Sequence, residues 1–190
     1  MVPGARLLNR QIVPVRKDEE AFFHVGSDAL LIYIQRLRTA DGQPIFLENL
    51  FLPYEPYKNL MSENLNDVSM FDAIERISGL RPATAGRQRI EAVRATAEQA
   101  QLLNLSLGEP LLYLNAYFHD QYDHPLCIGR QYYIGSRYMF EFLSADQFSQ
   151  KERLFPAEEA LFLSFYGRLL VKLQKYDGAA LCTLPKLRLF

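Results

Sequence analysis

The feature that most constrains the fold is an internal repeat at an offset of about 80 residues. The segment VGSDALLIYI at 25–34 aligns with LSLGEPLLYL at 105–114, which places Tyr33 on Tyr113. Further along, QPI at 43–45 aligns with HPL at 124–126, with one extra loop residue in the second copy. Solenoid repeats are shorter than this. We therefore expect two similar units that share one central antiparallel sheet, which is an α+β fold.

Each repeat unit is predicted to be a helix followed by a β-hairpin. Hydrophobic alternation and turn residues predict strands at 11–15, 30–38, 44–52, 86–94, 110–118, 125–134 and 138–143. Cap residues and helical spacing predict helices at 17–25, 70–77 and 97–105. Ser69 is the predicted N-cap of the middle helix, and Thr96 with Gln99 forms a predicted capping box.

The chain is predicted to divide at about residue 143. Residues 1–143 hold both repeat units, and residues 144–190 form a C-terminal extension. Pro156 begins a predicted helix at 156–175, with Glu158 and Glu159 in its first turn and apolar residues at helical spacing. The extension is a candidate element for dimerisation or partner binding.

Composition and motifs argue against several classes of protein. The 21 basic and 22 acidic residues give a net charge of −1, whereas nucleic-acid binding usually needs a basic excess. The 2 cysteines and 3 histidines have no metal-ligand spacing, so neither a metal nor a cofactor is expected. Hydrolase, P-loop and dinucleotide-binding motifs are absent from the sequence, so no catalytic residue is assigned. Without a long apolar run or a signal-peptide pattern, the protein is expected to be cytoplasmic and not membrane-bound.

A polar constellation is predicted on one face of the first hairpin. Side chains alternate along a strand, so Arg36 and Arg38 share a face. A three-residue loop would place Arg36 opposite Glu48 and Arg38 opposite Phe46. The planar guanidinium suits phosphate or carboxylate groups, and the helix that begins at Ser69 offers backbone N–H groups to an anion.

The alternative for these residues is purely structural. Arg36, Arg38 and Glu48 would then form a solvated, salt-bridged sheet face, and Ser69 would be a plain N-cap. In the second repeat the two arginine positions are Ala116 and Phe118. The shared fold therefore does not require the basic pair.

The ordered segments resemble a known family. RLRTADGQPIFLENLFLP, a helix that starts at Ser69, then TAEQAQLLNLSLGEPLLYLNAYFHDQYDHPL and YYIGSRYMFEF are together similar to the UTRA domain. This domain is the effector-binding half of HutC-type regulators in the GntR family. The resemblance spans about residues 11–143. It implies a chorismate-lyase-like fold, a homodimer, and a small effector, often a phosphorylated sugar or a carboxylate, whose binding releases DNA.

The resemblance also implies a binding site. In members that sense amino-sugar phosphates, two arginines of an RxR strand and a helix-starting serine hold the phosphate. These positions are Arg36, Arg38 and Ser69 here, and an acidic residue of the returning strand falls on Glu48. The anion-binding half of the site is therefore expected to be present.

The second hairpin contributes two further positions to the implied site. A tyrosine of the family site falls on Tyr133, whereas a glutamate of the family site is replaced by Cys127 in this chain. Because a thiol is smaller and less polar, we expect the non-anionic end of the effector to be less basic or less hydroxylated than an amino sugar.

The sequence thus predicts the small-molecule-sensing domain of a transcription regulator, in which the effector is a phosphosugar or an organic acid. Family members begin with a winged helix-turn-helix of roughly seventy residues. That module is missing here, so DNA contact is expected only through it. A chorismate-lyase-like enzyme is the main alternative, and a protein-interaction domain is another, since a fold alone does not determine function.

Overall fold

Eight strands and four helices make up the part of the chain that the computed structural model describes, residues 2–142 and 169–173. The strands are β1 (Pro3–Pro14), β2 (Leu30–Ala40), β3 (Gln43–Pro53), β4 (Pro82–Arg94), β5 (Pro110–Asp120), β6 (Pro125–Ile134), β7 (Tyr138–Phe142) and β8 (Leu169–Leu173). The helices are α1 (Lys17–Phe23), α2 (Tyr54–Tyr57), α3 (Met70–Ser78) and α4 (Ala97–Leu103). None of the helices in these two ranges is long and apolar enough to span a bilayer.

Six strands form one antiparallel sheet in the order β1-β2-β3-β6-β5-β4. This order is symmetric about its centre, because β1, β2 and β3 of the first unit correspond to β4, β5 and β6 of the second. The two units meet where β3 pairs with β6. The predicted repeat and the α+β fold with a central antiparallel sheet are confirmed.

The duplication extends to the starts of the equivalent helices α1 and α4. At α1 the backbone N–H of Arg16 donates to Glu19 Oε2 at 2.8 Å. At α4 the N–H of Thr96 donates to Gln99 Oε1 at 3.0 Å, and Thr96 Oγ1 accepts from the Gln99 N–H at 3.2 Å. The predicted capping box at α4 is confirmed. At α1 only the bond from the N-cap N–H to the Glu19 side chain is equivalent, and the Glu19 N–H donates instead to the Arg16 carbonyl oxygen at 3.0 Å.

The ends of α1 and α4 are also equivalent. Each helix is followed by a residue with a left-handed backbone, His24 and Asn104, both with φ of 55°. A left-handed residue at this position closes the last turn of a helix. Both helices therefore end about two residues before the predicted boundaries.

The first hairpin has the predicted register but a different turn. Arg36 lies opposite Glu48 and Arg38 opposite Phe46, as expected. The turn consists of two residues, 41–42, with φ values of 50° and 76°, and a bulge next to it restores the register. Two residues with positive φ form the turn whose twist matches the strands. The three-residue loop was therefore the wrong prediction, although the cross-strand pairs are right.

The sheet has two faces, which are covered by different elements. The inner face, which carries Arg36 and Glu48, packs against α2, α3 and the 3₁₀ turn Lys58–Met61 that lies between them. Buried residues of this core include Ile32, Ile34, Leu50, Leu52, Tyr57, Leu60, Ala73 and Ile74. On the outer face, Phe23 of α1 and Leu103 of α4 lie in two separate apolar clusters.

The segment before α3 is hydrogen-bonded to the edge strand β1. The backbone N–H groups of Ala5 and Leu7 donate to the side chains of Asp67 and Asn66, each at 2.8 Å. Asp67 in turn donates its N–H to the Ala5 carbonyl at 2.8 Å. Arg10 Nη1 reaches two carbonyl oxygens of the same segment at 2.7 Å. The segment is therefore held between β1 and the inner face.

The described C-terminal residues differ from the prediction. Strand β8, Leu169–Leu173, pairs with β7 and lies inside the helix predicted at 156–175, so the prediction is wrong over those five residues. The periodicity of a short apolar run such as LLVKL is compatible with a strand or a helix. The two are distinguished by the presence of a pairing strand, which the local sequence does not show. The rest of the predicted helix lies outside the described residues. The boundary at residue 143 stays a prediction.

A buried ion pair attaches α1 to the outer face. Arg130 of β6 contacts Asp18 Oδ2 and Glu19 Oε1, each at 2.8 Å, although the contact with Glu19 lacks hydrogen-bond alignment. The guanidinium also lies 4.5 Å from the centroid of the Phe51 ring. Glu19 is only 1% exposed. A carboxylate can be buried there because the guanidinium compensates its charge.

Substitution Arg130→Ala is expected to lower the free energy of unfolding by about 3–5 kcal/mol, because it leaves the buried Glu19 carboxylate uncompensated. Urea denaturation measures this change. The matched control is Lys58→Ala, which removes an exposed ion pair with Glu55 and should have little effect. Equal stabilities of the two variants would show that Arg130 does not anchor α1.

Candidate anion-binding site

Arg36 lies in the middle of the inner face and is 0% exposed. Its Nε donates to Glu48 Oε2 at 2.8 Å, and its Nη2 donates to the same oxygen at 2.5 Å. Its Nη1 donates to the carbonyl oxygens of Leu65 at 3.2 Å and Val68 at 2.8 Å. These bonds hold the segment that leads into α3 against the sheet.

The electrostatics of Arg36 reflect both burial and a neighbouring cation. Burial lowers the pKa of Arg36, and the charge of Arg38 lowers it further, while Glu48 and Asp67 act in the opposite direction. Arginine nevertheless stays protonated in proteins. Two guanidiniums on one buried strand face repel each other, and an anion placed beside them relieves this repulsion.

Arg38 lies two residues further along β2, at the aromatic part of the inner face. It is 1% exposed, and its guanidinium carbon is 5.7 Å from the centroid of the Phe46 ring. Phe46 lies opposite Tyr133 in the β3–β6 pair, with ring centroids 4.6 Å apart. Tyr133 in turn contacts the rings of Tyr138 and Phe140 at 4.6 and 5.1 Å. The predicted residues Arg38 and Tyr133 thus lie near each other, although they come from different repeats.

Ser69 begins α3 as predicted. It is buried, and its Oγ accepts a hydrogen bond from the Asp72 N–H at 3.1 Å. Because Arg36 binds the carbonyl oxygen of Val68, the residue before Ser69, the start of α3 lies beside the arginine strand. A helix start carries a partial positive charge, which adds to that of the two arginines.

Cys127 lies opposite Phe118 on the inner face and is fully buried. Burial raises the pKa of the Cys127 thiol, and the nearby carboxylate of Glu48 raises it further. A neutral thiol is a poor nucleophile, since the thiolate is the reactive form. Cys127 therefore offers a small, weakly polar contact on the inner face, four residues along β6 from Gln131, the partner of Glu48.

Gln131 is an inner-face residue that the sequence analysis does not single out. It lies directly opposite Glu48 in the β3–β6 pair and is 3% exposed. Its Oε1 accepts a hydrogen bond from the Tyr133 hydroxyl at 2.6 Å. Strand alternation could have found it, because residues two apart share a face.

The structure brings all six predicted site residues to the inner face or to the start of α3. Arg36 and Glu48 are in direct contact, Val68 connects them to Ser69, and Arg38 lies near Tyr133 through Phe46. Their role in ligand binding stays a prediction. Within residues 2–142 and 169–173, no cluster of three or more His, Cys, Asp or Glu side chains could hold a metal ion.

Comparison with known sequences gives a family match and a relative. Residues 1–139 match the family "UTRA domain". The HTH-type transcriptional repressor NagR of Bacillus subtilis is 28% identical over 140 residues, which cover 74% of this chain and 57% of that protein. The chain therefore spans a little over half the length of this curated relative.

Solved structures share the fold. The ligand-binding domain of a protein described as a GntR-family regulator, from Bordetella bronchiseptica, superposes with a TM-score of 0.68 at 19% identity, covering 75% of this chain and 89% of that one. The effector domain of PhnF from Mycobacterium smegmatis gives a TM-score of 0.66 at 24% identity, covering 72% of this chain and 83% of that one. A protein described as a transcriptional regulator, from Streptomyces coelicolor, gives a TM-score of 0.58 at 27% identity, covering 74% of this chain and 91% of that one.

The bonds of Arg36 predict a structural role in addition to any binding role. Arg36→Ala should lower the free energy of unfolding by about 3–5 kcal/mol, because it leaves the buried Glu48 carboxylate without its counter-ion. The double variant Arg36→Met with Glu48→Met should recover much of that loss, since no charge is left buried. Urea denaturation measures the free energy of unfolding of both variants. A double variant no more stable than the single one would contradict this explanation.

Proposed function

Because the chain belongs to the UTRA domain family, we propose that it senses a small anionic effector for a transcription regulator of the GntR family and HutC type. The family match over residues 1–139 and the three structural neighbours above support an effector-binding role. The nature of the effector is inferred from the charges on the inner face.

The observation that carries the proposal is the convergence of two buried arginines with a helix start. Arg36 and Arg38 project from one face of β2, and Arg36 also contacts the backbone just before Ser69. A phosphate or carboxylate at this point would gain charge-assisted hydrogen bonds from a guanidinium and from backbone N–H groups. The proposed effector is thus a phosphosugar or an organic acid.

The enzymatic alternative has less support. The relatives reported above are described as transcription regulators or their ligand-binding and effector domains. The thiol of Cys127 on the inner face is held in its neutral form by burial. We propose that the chain is not an enzyme, and incubation with chorismate, followed spectroscopically, would reveal lyase activity if this is wrong.

We further propose that DNA is contacted by a winged helix-turn-helix domain outside residues 1–139, in a repressor that works in the cytoplasm. The net charge of −1 supports this division of roles, because DNA binding usually needs an excess of basic residues. A salt-sensitive, sequence-specific gel shift with this chain alone would contradict it.

The effector proposal predicts a loss of anion binding when Arg38 is replaced. Phosphorylated sugars and organic acids are screened by thermal shift, since a ligand that binds the folded state raises the melting temperature with dose. With an anion found in this way, Arg38→Met should weaken binding by about 2–5 kcal/mol in calorimetry, because a buried charge pair is lost.

The matched control for that measurement is Arg89→Met, which removes an arginine exposed on the outer face of edge strand β4. Its affinity for the same anion should equal that of the unaltered protein. If Arg38→Met also binds with unchanged affinity, the anion does not bind at the proposed site.

A homodimer is proposed on the family resemblance, and closed two-fold dimers are the commonest oligomers. Light scattering on the purified chain at high micromolar concentration should give the mass of a dimer, and a monomer there would contradict the proposal. A dimer that survives removal of residues 150–190 would show that the C-terminal extension is not the interface.

A further inference from the structure

Polar side chains form a row across the outer face of the six-stranded sheet. The register of β2, β3, β6 and β5 puts four of them side by side: Gln35, Asn49, Arg130 and Asn115. Directly opposite side chains have Cβ atoms about 5 Å apart. The apolar clusters of α1 and α4 contain Phe51 and Leu47, which flank Asn49 on the outer face of β3. The polar row therefore lies between the two helices.

The part of the row that belongs to the first repeat is satisfied within the protein. Asn49 Oδ1 accepts from the Tyr33 hydroxyl at 2.7 Å, and Asn49 Nδ2 donates to the Arg130 carbonyl oxygen at 2.9 Å. Gln99, the counterpart of Glu19 at the start of α4, uses its Oε1 in the capping box. The fold can therefore satisfy polar groups at these positions without a ligand.

The part of the row around Arg130 differs. Three buried side-chain atoms there form no hydrogen bond within the described ranges: Asn115 Oδ1, Arg130 Nη1 and Glu19 Oε1. The last two are 2.8 Å apart, yet the N–H of Arg130 does not point at the oxygen. Asn115, Arg130 and Glu19 are 6%, 9% and 1% exposed. Most buried polar atoms in native proteins are satisfied, so a cluster of exceptions needs an explanation.

Tyrosine rings surround these atoms. The ring centroids of Tyr113 and Tyr132 are 4.8 Å apart, with 31° between their planes. Burial raises the pKa of both tyrosines, and the nearby charge of Arg130 acts in the opposite direction on each. Tyr117 lies beside Asn115, and all three tyrosines are half-buried. The unpaired atoms thus lie among flat aromatic walls that solvent reaches.

The charges of this site favour a neutral ligand. Arg130 is paired with Asp18 and Glu19. Arg16, the residue that precedes α1, adds a second positive charge, whose effect reaches Tyr132. Two positive and two negative charges compensate each other, so neither an anion nor a cation gains a net attraction.

We propose that this site binds the carboxamide group of a small aromatic molecule. The carbonyl oxygen and one N–H of a primary amide lie side by side, as Arg130 Nη1 and Glu19 Oε1 do. The carbonyl oxygen accepts from Arg130, that N–H donates to Glu19, and the second N–H donates to Asn115 Oδ1. A carboxamide combines these donors and an acceptor in one neutral plane, whereas an ammonium group cannot accept and a carboxylate cannot donate. Tyr113 and Tyr132 pack against the aromatic part.

Access to Asn115 Oδ1 depends on Tyr117, because the oxygen is covered in this structure. The Tyr117 hydroxyl lies 3.5 Å from Asn115 Nδ2, longer than the usual distance of about 2.7–3.2 Å. Little is lost when the ring turns aside. A ligand that forms shorter bonds with Asn115 therefore displaces Tyr117.

This site is separate from the proposed anion site. Arg130 and Gln131 are neighbours in β6, and successive side chains of a strand project to opposite faces of the sheet. The carboxamide would bind on the outer face and the anion on the inner face, so one site can exist without the other.

The test uses four probes of similar size. Benzamide carries the amide, acetophenone keeps the carbonyl but lacks the N–H donors, benzoate is an anion without donors, and benzylamine is a cation without an acceptor. Each is titrated into isotope-labelled protein, and the backbone NMR signals of β5 and β6 report binding at this site. Benzamide should bind with a dissociation constant of about 1 mM or lower. It should bind at least about tenfold more tightly than the other three, the value of a hydrogen bond to a charged group.

Substitution Asn115→Leu removes the acceptor and keeps a side chain of similar shape. It should weaken benzamide binding roughly tenfold while the protein stays folded, because an unpaired buried acceptor disappears as well. The matched control is Asn9→Leu, the same substitution at the exposed end of the same row on β1, which should leave the affinity unchanged. Melting curves check folding, and Asn115→Ala serves in place of a leucine variant that does not fold.

The opposite results are equally clear. Benzamide that binds no better than acetophenone, that leaves the signals of β5 and β6 unmoved, or that keeps its affinity for the Asn115→Leu variant would overturn the carboxamide site. Arg38→Met, on the inner face, should bind benzamide as the unaltered protein does. A loss of benzamide binding in that variant would place the probe at the anion site and would also overturn the proposal.

Discussion

A guanidinium group buried inside a protein has to satisfy five N–H groups and a positive charge, and this requirement shapes the inner face around Arg36. Glu48 supplies the counter-charge from the neighbouring strand, and the carbonyl oxygens of Leu65 and Val68 supply two further acceptors. The carbonyls come from the segment before α3, so this segment and the helix are drawn onto the sheet. Together with the hydrogen bonds from β1, the burial of this side chain therefore fixes the position of the helix start, on which the anion site depends.

The two repeats have the same backbone fold but carry different residues on each face of the sheet. Helix starts, helix ends and strand pairing are retained in both copies, because these features depend on backbone geometry. The face positions have diverged: Glu48 and Asn49 of β3 correspond to Gly129 and Arg130 of β6. In the first unit arginines project inward, and in the second an arginine projects outward to bind α1. A nearly symmetric scaffold therefore carries an asymmetric inner face.

Features that depend on local spacing could be predicted from the sequence. The repeat, the hairpins, the start of α3 at Ser69 and the pairing of Arg36 with Glu48 all follow from turn residues, caps and strand alternation. Strand alternation places Gln131 on the same face as Tyr133, but its position opposite Glu48 depends on the pairing of β3 with β6, which joins segments about 80 residues apart in sequence. The contacts of Arg36 with the segment before α3 are likewise non-local. The helix predicted over residues 169–173 was wrong for a related reason, because the periodicity of this segment alone is compatible with both a helix and a strand.

The hydrogen bonds between β1 and the segment before α3 bear on aggregation. An edge strand normally presents unpaired N–H and C=O groups that can template the addition of a strand from another molecule. On β1 the outward N–H groups of Ala5 and Leu7 are already bonded to Asp67 and Asn66. The opposite edge, β4, is interrupted by two register shifts and carries the exposed arginines Arg87, Arg89 and Arg94. Both edges of the six-stranded sheet are therefore poor templates for a strand from another molecule, and we expect this sheet to resist fibre formation by strand addition.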